Sequence, residues 1–158
     1  MKTRAIALTS AVALTAVMAV PIVAQDEMAG PEAFADDAKP YVPIVSKGFQ
    51  HQFWQAVESG AEQMAAELNM DINFIGPECE SQVAKQIEML QAEYDKGPQA
   101  VCVAALDSQA ALPLLEQMQA DGIPVIAFDS GVEGDIPITT AATDNVAAAA
   151  MAADKMFE

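Results

Sequence analysis

The sequence predicts a doubly wound α/β fold, a parallel sheet flanked by helices, on three observations. Short apolar runs recur along the chain, each separated from the next by a single stretch whose apolar residues fall at helical spacing. Within a run the apolar positions are successive rather than alternate, so both faces of each strand call for cover. Turn residues such as Gly97-Pro98 and Gly122-Ile123-Pro124 close the helical stretches just before the next run. Alternation of this kind yields parallel strands with helices crossing between them on both sides.

The chain has 158 residues, the length of one ordinary domain. It opens with Lys2 and Arg4, the apolar stretch AIALTSAVALTAVMAV and the small residues of PIVAQ. This is the pattern of an export signal over residues 1–24, cleaved after Ala24, with an uncleaved membrane anchor as the alternative. No Cys follows the apolar stretch on which a lipid anchor could be built. Residues 25–40, QDEMAGPEAFADDAKP, lack a sustained apolar period and read as a flexible acidic leader.

The folded lobe is expected over residues 41–144. YVPIV is the first run, after which Phe53, Val57, Ala61, Met64 and Leu68 mark a helix. INFI is the second, followed by Val83, Ile87, Leu90 and Tyr94. AVCVAAL is the third, with Leu112, Leu115 and Met118 on its helix. VIAF is the fourth and ITTAA a weaker fifth, before the helical NVAAAAMAADKMF within residues 145–158.

Composition excludes several functions. A formal charge of -16, from 23 acidic and 7 basic residues, repels phosphate backbones and anionic lipid surfaces, so no nucleic-acid partner is expected. One His and two Cys far apart provide no zinc spacing, and G-x-S-x-G, P-loop and G-x-G-x-x-G motifs are absent. Neither metal nor cofactor is expected. An enzyme would need a nucleophile with a base in reach, and no serine motif accompanies His51. Cys79, in a loop, and Cys102, inside a strand, read as an exposed and a buried thiol, with a disulfide as the alternative.

Parallel sheets of this type bind ligands beyond the carboxyl ends of their strands. Directly after the runs come Ser46, Lys47, Gln50, His51, Phe53 and Trp54, then Gly76, Pro77 and Glu78, then Asp107 and Ser108, then Asp129 and Ser130, and then Thr143, Asp144 and Asn145. These are hydrogen-bonding groups beside aromatic faces. Asp107 reads first as an N-cap and Asp129 as a turn residue, two local uses of aspartate.

The segments SKGFQHQFWQAVESGAE, DSQAALPLLEQMQADGIPVIAFDS and ATDN resemble, in order and spacing, the N-terminal lobe of type I periplasmic solute-binding proteins of the ribose-binding-like sugar branch. The likeness covers residues 41–158. It implies a two-lobed captor that closes around a sugar and presents it to the permease of an ABC importer, and thus a periplasmic protein free of the membrane after signal cleavage. Phe53 and Trp54 fall at the places of the aromatic platform, and His51 at a place that often holds an amide. Asp129 falls where a carboxylate grips two sugar hydroxyls. Ser130 stands where ribose binders often have Arg, and Ala104 near where they often have Asn, so the resemblance does not extend to ribose itself. Lys47 adds a cation that suits an acidic ligand, or else a solvated lysine. Thr143, Asp144 and Asn145 match the hinge, beyond which a second lobe would begin with the helix at residues 145–158. A sensory ectodomain feeding a chemoreceptor or sensor kinase would use the same cleft and is the alternative function.

Overall fold

The computed structural model describes residues 39–157; the export signal expected over residues 1–24, and residues 25–38 of the leader, lie outside the described residues. Five strands and four helices alternate except at β4 and β5, which follow each other directly: β1 (Tyr41–Val45), α1 (Gln52–Leu68), β2 (Asp71–Ile75), α2 (Val83–Tyr94), β3 (Val101–Val103), α3 (Ser108–Ala120), β4 (Val125–Phe128), β5 (Thr139–Ala141) and α4 (Asn145–Met156). Local chemistry sets the helix ends. The His51 side chain caps α1, and the chain leaves that helix through Asn69 at φ 56°, a left-handed conformation that Asn tolerates. Asp107 caps α3 by accepting from the Gln109 and Ala110 N–H groups.

The strands form one sheet in the order β2-β1-β3-β4-β5, and every pairing is parallel. Right-handed crossovers in that order place α1 on one face and α2 with α3 on the other. The packing agrees: α1 lies against β2, while α2 and α3 pack on each other and on β1 and β4. Pro43 is tolerated in a central strand because β1 pairs with β3 only through Ile44 and Val45.

Adjacent strands expose the two faces in alternating rows. Val45, Val103 and Ala127 are in register and fully buried beneath α2 and α3. With Leu90, Leu115 and Met118, also sealed from solvent, they form the core. Each of the larger side chains, Ala127 aside, contributes about 1.5–3 kcal/mol through burial. The opposite row, Ile44, Cys102 and Ile126, is only half-buried, because among the described residues α1 alone covers it.

The stripe expected on α1 holds at Val57, Ala61 and Leu68, which are partly buried, and departs at two positions. Phe53 and Met64 are 46% and 41% exposed, whereas the next residues, Trp54 and Ala65, are 3% and 7% exposed. Among the described residues no second helix lies beside α1, which rests on a narrow line of contact. Every described residue of α4 is exposed, including Val146, Met151 and Met156. Among the described residues, no helix is long and apolar enough to cross a membrane.

Polar residues on the inward side of α2 are matched individually. Glu93 accepts hydrogen bonds from the Tyr41 hydroxyl, from Asn73 Nδ2 at 2.7 Å and from Lys96 Nζ at 2.9 Å. Burial alone would raise its carboxyl, but these donors together hold it below the ordinary range.

Candidate functional site

The strand order reverses between β1 and β3, so the loops leaving these two strands diverge and open a crevice at the carboxyl edge. One side chain ties its two lips together. Gln86, on α2 and 1% exposed, donates from Nε2 to the Ser46 and Ala104 carbonyls, both at 2.8 Å. Its Oε1 accepts from the Leu106 N–H at 2.8 Å. Two carbonyls and one N–H around one amide leave a single orientation that satisfies them all. Below this, Ser46 Oγ donates to the Gly48 carbonyl at 2.5 Å and lies 3.0 Å from that of Ile75. Position 76 must be Gly, since a Cβ there would meet Ser46 Oγ at 2.4 Å and the Gly48 backbone at 3.0 Å.

From this anchored loop Lys47 reaches across to the end of β4. Its ammonium lies 2.9 Å from Asp129 Oδ2 and donates to Ser130 Oγ. Ser130 Oγ in turn donates to Asp129 Oδ2 at 3.1 Å. Asp129 has φ 58°, a left-handed conformation uncommon outside Gly, which costs on the order of 1 kcal/mol or more and often occurs at functional sites. Its backbone is locked there: its N–H donates to the Ala141 carbonyl of β5 at 2.9 Å, and the Ser130 N–H reaches back to the Phe128 carbonyl at 2.6 Å. Among the described residues nothing donates to Asp129 Oδ1.

Asp129 and the exposed Phe53 ring line one hollow of about 400 Å³, with Val57, Phe128, Ala141, Ala142 and Thr143. The structure thus gathers four of the predicted ligand residues, Lys47, Phe53, Asp129 and Ser130, around the end of β4.

Trp54 and His51 lie elsewhere. Trp54, expected as a ring on which a ligand lies, is 3% exposed and borders a second hollow rather than the one at Asp129. Its indole N–H donates to Glu80 Oε1 at 3.0 Å. Phe53 and Phe128 meet it edge-on, at 4.8 and 6.2 Å between ring centroids. Burying the larger ring props up the smaller one, and Phe53 keeps the open face. His51 caps α1, its Nδ1 accepting from the Phe53 N–H at 3.2 Å. It also borders that second hollow, of about 420 Å³, with Phe49, Trp54, Glu78, Cys79 and Glu80.

Asp107 and Asp144 are caps: Asp107 holds the start of α3 and Asp144 accepts from the Ala147 N–H at 3.0 Å, with Asn145 opening α4. Both cysteines are free, Cys79 exposed and Cys102 partly buried, where burial pushes its thiol up to about 11. Among the described residues, no group of His, Cys, Asp and Glu is placed to hold a metal ion.

Two residues at the site escaped sequence reasoning, Gln86 and Glu80. Gln86 had left a signal: with Val83 and Leu90 it falls on the apolar side of α2, and a polar residue at an inward position needs a partner. Glu80, in an exposed loop, left none.

Comparison with known proteins follows the same outline. Residues 42–158 match the family described as "Periplasmic binding protein domain". Among solved structures, the chain is 41% identical to a Brachyspira murdochii protein named an ABC transporter, LacI family transcriptional regulator, with a TM-score of 0.69 over 77% of this chain and 39% of that one. It is 30% identical to the periplasmic component of an ABC-type sugar transport system from Hahella chejuensis, with a TM-score of 0.68 over 73% of this chain and 42% of that one. An ABC transporter solute binding protein from Agrobacterium vitis with bound D-fucose is also 30% identical, with a TM-score of 0.67 over 73% of this chain and 41% of that one. The chain therefore spans about two fifths of the length of these structures.

Proposed function

The chain belongs to the periplasmic binding protein domain family, and on that premise we propose that it forms one wall of a sugar-binding site in an exported solute-binding protein that serves an ABC importer. The observation that carries this reading is the pairing of an exposed aromatic face, Phe53, with a fixed carboxylate, Asp129, across one hollow. A sugar ring offers an apolar C–H face to the first and hydroxyl donors to the second, and charge-assisted bonds of the latter kind contribute about 1.5–3 kcal/mol. The family consists of binding proteins rather than enzymes. The lysine-poor, acidic chain and the export signal read over residues 1–24 support transport over DNA-linked regulation.

We take the opposing wall to come from a second lobe joined through Thr143, Asp144 and Asn145. A ligand held against one wall leaves much of its surface in water, so this chain alone should bind in the millimolar range, about -4 kcal/mol. A thermal-shift screen against pentoses and hexoses, D-fucose and D-arabinose included, tests the reading, because a ligand of the native state raises stability with the logarithm of its excess. A dose-dependent rise that Phe53→Ala abolishes supports it. No response at 100 mM, a concentration roughly a hundredfold above a millimolar Kd, refutes it. For export, the mature chain recovered from the periplasm should start near Gln25.

A further inference from the structure

We propose that the Lys47–Asp129 pair makes this site selective for uncharged polyhydroxy ligands and hostile to acidic sugars; the inference rests on the sugar-site reading above. A lysine at the mouth of a site invites the opposite conclusion, and its geometry removes it. The Lys47 charge is already matched by Asp129 at 2.9 Å, and a second of its three donors is used on Ser130 Oγ. What the pair offers a ligand is one ammonium N–H and the vacant lone pairs of Asp129 Oδ1. One donor beside one acceptor is the complement of two neighbouring hydroxyls, each of which can donate or accept.

An added carboxylate finds no surplus cation nearby. Among the described residues Lys47 is the one cation in the loops that follow the strands, where Glu78, Glu80, Asp107, Asp129 and Asp144 also stand. Lys85, in the first turn of α2, is taken by Glu88 at 3.0 Å. The chain's one Arg, Arg4, lies outside the described residues. Helix N-termini are the other common anion holders, and those of α1, α3 and α4 are occupied by the protein's own His51, Asp107 and Asp144. The first turn of α2 is uncapped but opens only at Val83, past the loop after β2. An anionic ligand would thus face Asp129 with its charge uncompensated.

The test compares sugars that differ only at one carbon, D-galactose with D-galacturonate and D-glucose with D-glucuronate, by ¹⁵N chemical-shift titration of the whole chain. This method reads millimolar dissociation constants. The neutral member of the pair that binds should be at least tenfold tighter at low ionic strength, about 1.4 kcal/mol. Asp129→Asn frees the Lys47 charge and should narrow or invert that ratio. If Asp129→Asn does not fold, Lys47→Gln replaces it: the unmatched carboxylate should then raise the affinity for D-galactosamine relative to D-galactose. A uronate that binds as tightly as its neutral partner overturns the inference and leaves the sugar reading standing, and so does a selectivity ratio that neither variant moves. Silence from both pairs and from D-fucose and D-arabinose overturns the sugar reading and the inference with it.

Discussion

Replacing Gln86 by Leu keeps the volume of the side chain and removes everything that ties the two lips of the crevice. Three backbone groups lose their partner, each now bonded at 2.8 Å: the buried Ser46 and Ala104 carbonyls and the partly buried Leu106 N–H. A buried polar group left unsatisfied costs about 1–3 kcal/mol. Loop relaxation and water entry recover part of the sum, which leaves an expected loss of about 3–5 kcal/mol, a large share of the roughly 5–15 kcal/mol that holds a domain together. Urea denaturation followed by Trp54 fluorescence measures it. With a slope of about 1–3 kcal/mol/M, the midpoint should fall by about 2 M. A companion variant, Gln86→Glu, separates hydrogen bonding from packing. Its carboxylate would oppose two carbonyl oxygens in a buried site, so its folded-state pKa must rise above the unfolded value of about 4.3. A raised carboxyl pKa means that stability is retained at acid pH and lost as pH rises through the folded value. A Gln86→Leu midpoint within about 0.5 M of the parent, roughly 1 kcal/mol at that slope, would refute the account of Gln86 as the tie across the crevice.

Trp54→Ala should destabilise the chain by about 3–5 kcal/mol in urea denaturation followed by far-ultraviolet circular dichroism, because it empties the space between Phe53 and Phe128, whereas Phe53→Ala should cost under about 1.5 kcal/mol and act on sugar titration instead. Glu93 has a lowered carboxyl, so the stability it contributes is present above its unfolded value near 4.5 and is lost as pH falls through the lower folded value. Glu93→Gln should therefore be less stable than the parent at neutral pH, and the gap should close in acid denaturation curves. With its thiol pushed up to about 11 from 9.0, Cys102 carries about a hundredfold less thiolate than an unperturbed cysteine, so a disulfide-exchange reagent at pH 8 should modify one thiol quickly, Cys79, and the other far more slowly.

Most of the fold was legible in the order of residues, because the signals that define a strand or helix here are local. YVPIV, INFI and VIAF are apolar without alternation, and the Phe53–Leu68 and Val83–Tyr94 spacings repeat at helical intervals; the observed elements begin and end within a few residues of these bounds. The chemistry at the strand ends was equally readable, since a parallel sheet gathers its post-strand loops along one edge wherever each strand lies within it. Lys47, Phe53, Asp129 and Ser130 were accordingly named before their neighbours were known.

What the sequence could not decide is which of those residues meet. The order β2-β1-β3-β4-β5 brings Lys47 over β3 to Asp129, 82 positions away along the chain, and that contact reverses the reading of Lys47 from a free cation to a matched one. The burial of Trp54 in place of Phe53 on α1 is likewise a tertiary outcome. Phe53 and Trp54 are adjacent, apolar and equally suited to burial or display, so helical spacing alone cannot rank them. The partners do: Glu80 receives the indole N–H and Phe128 backs the ring, which sends Trp54 inward and leaves Phe53 as the face a ligand would meet. Gln86 shows the same limit from the other side, since a polar residue on an apolar stripe announces that a partner must exist. Only the folded chain, by bringing Ser46, Ala104 and Leu106 within 2.8 Å, says which partners they are.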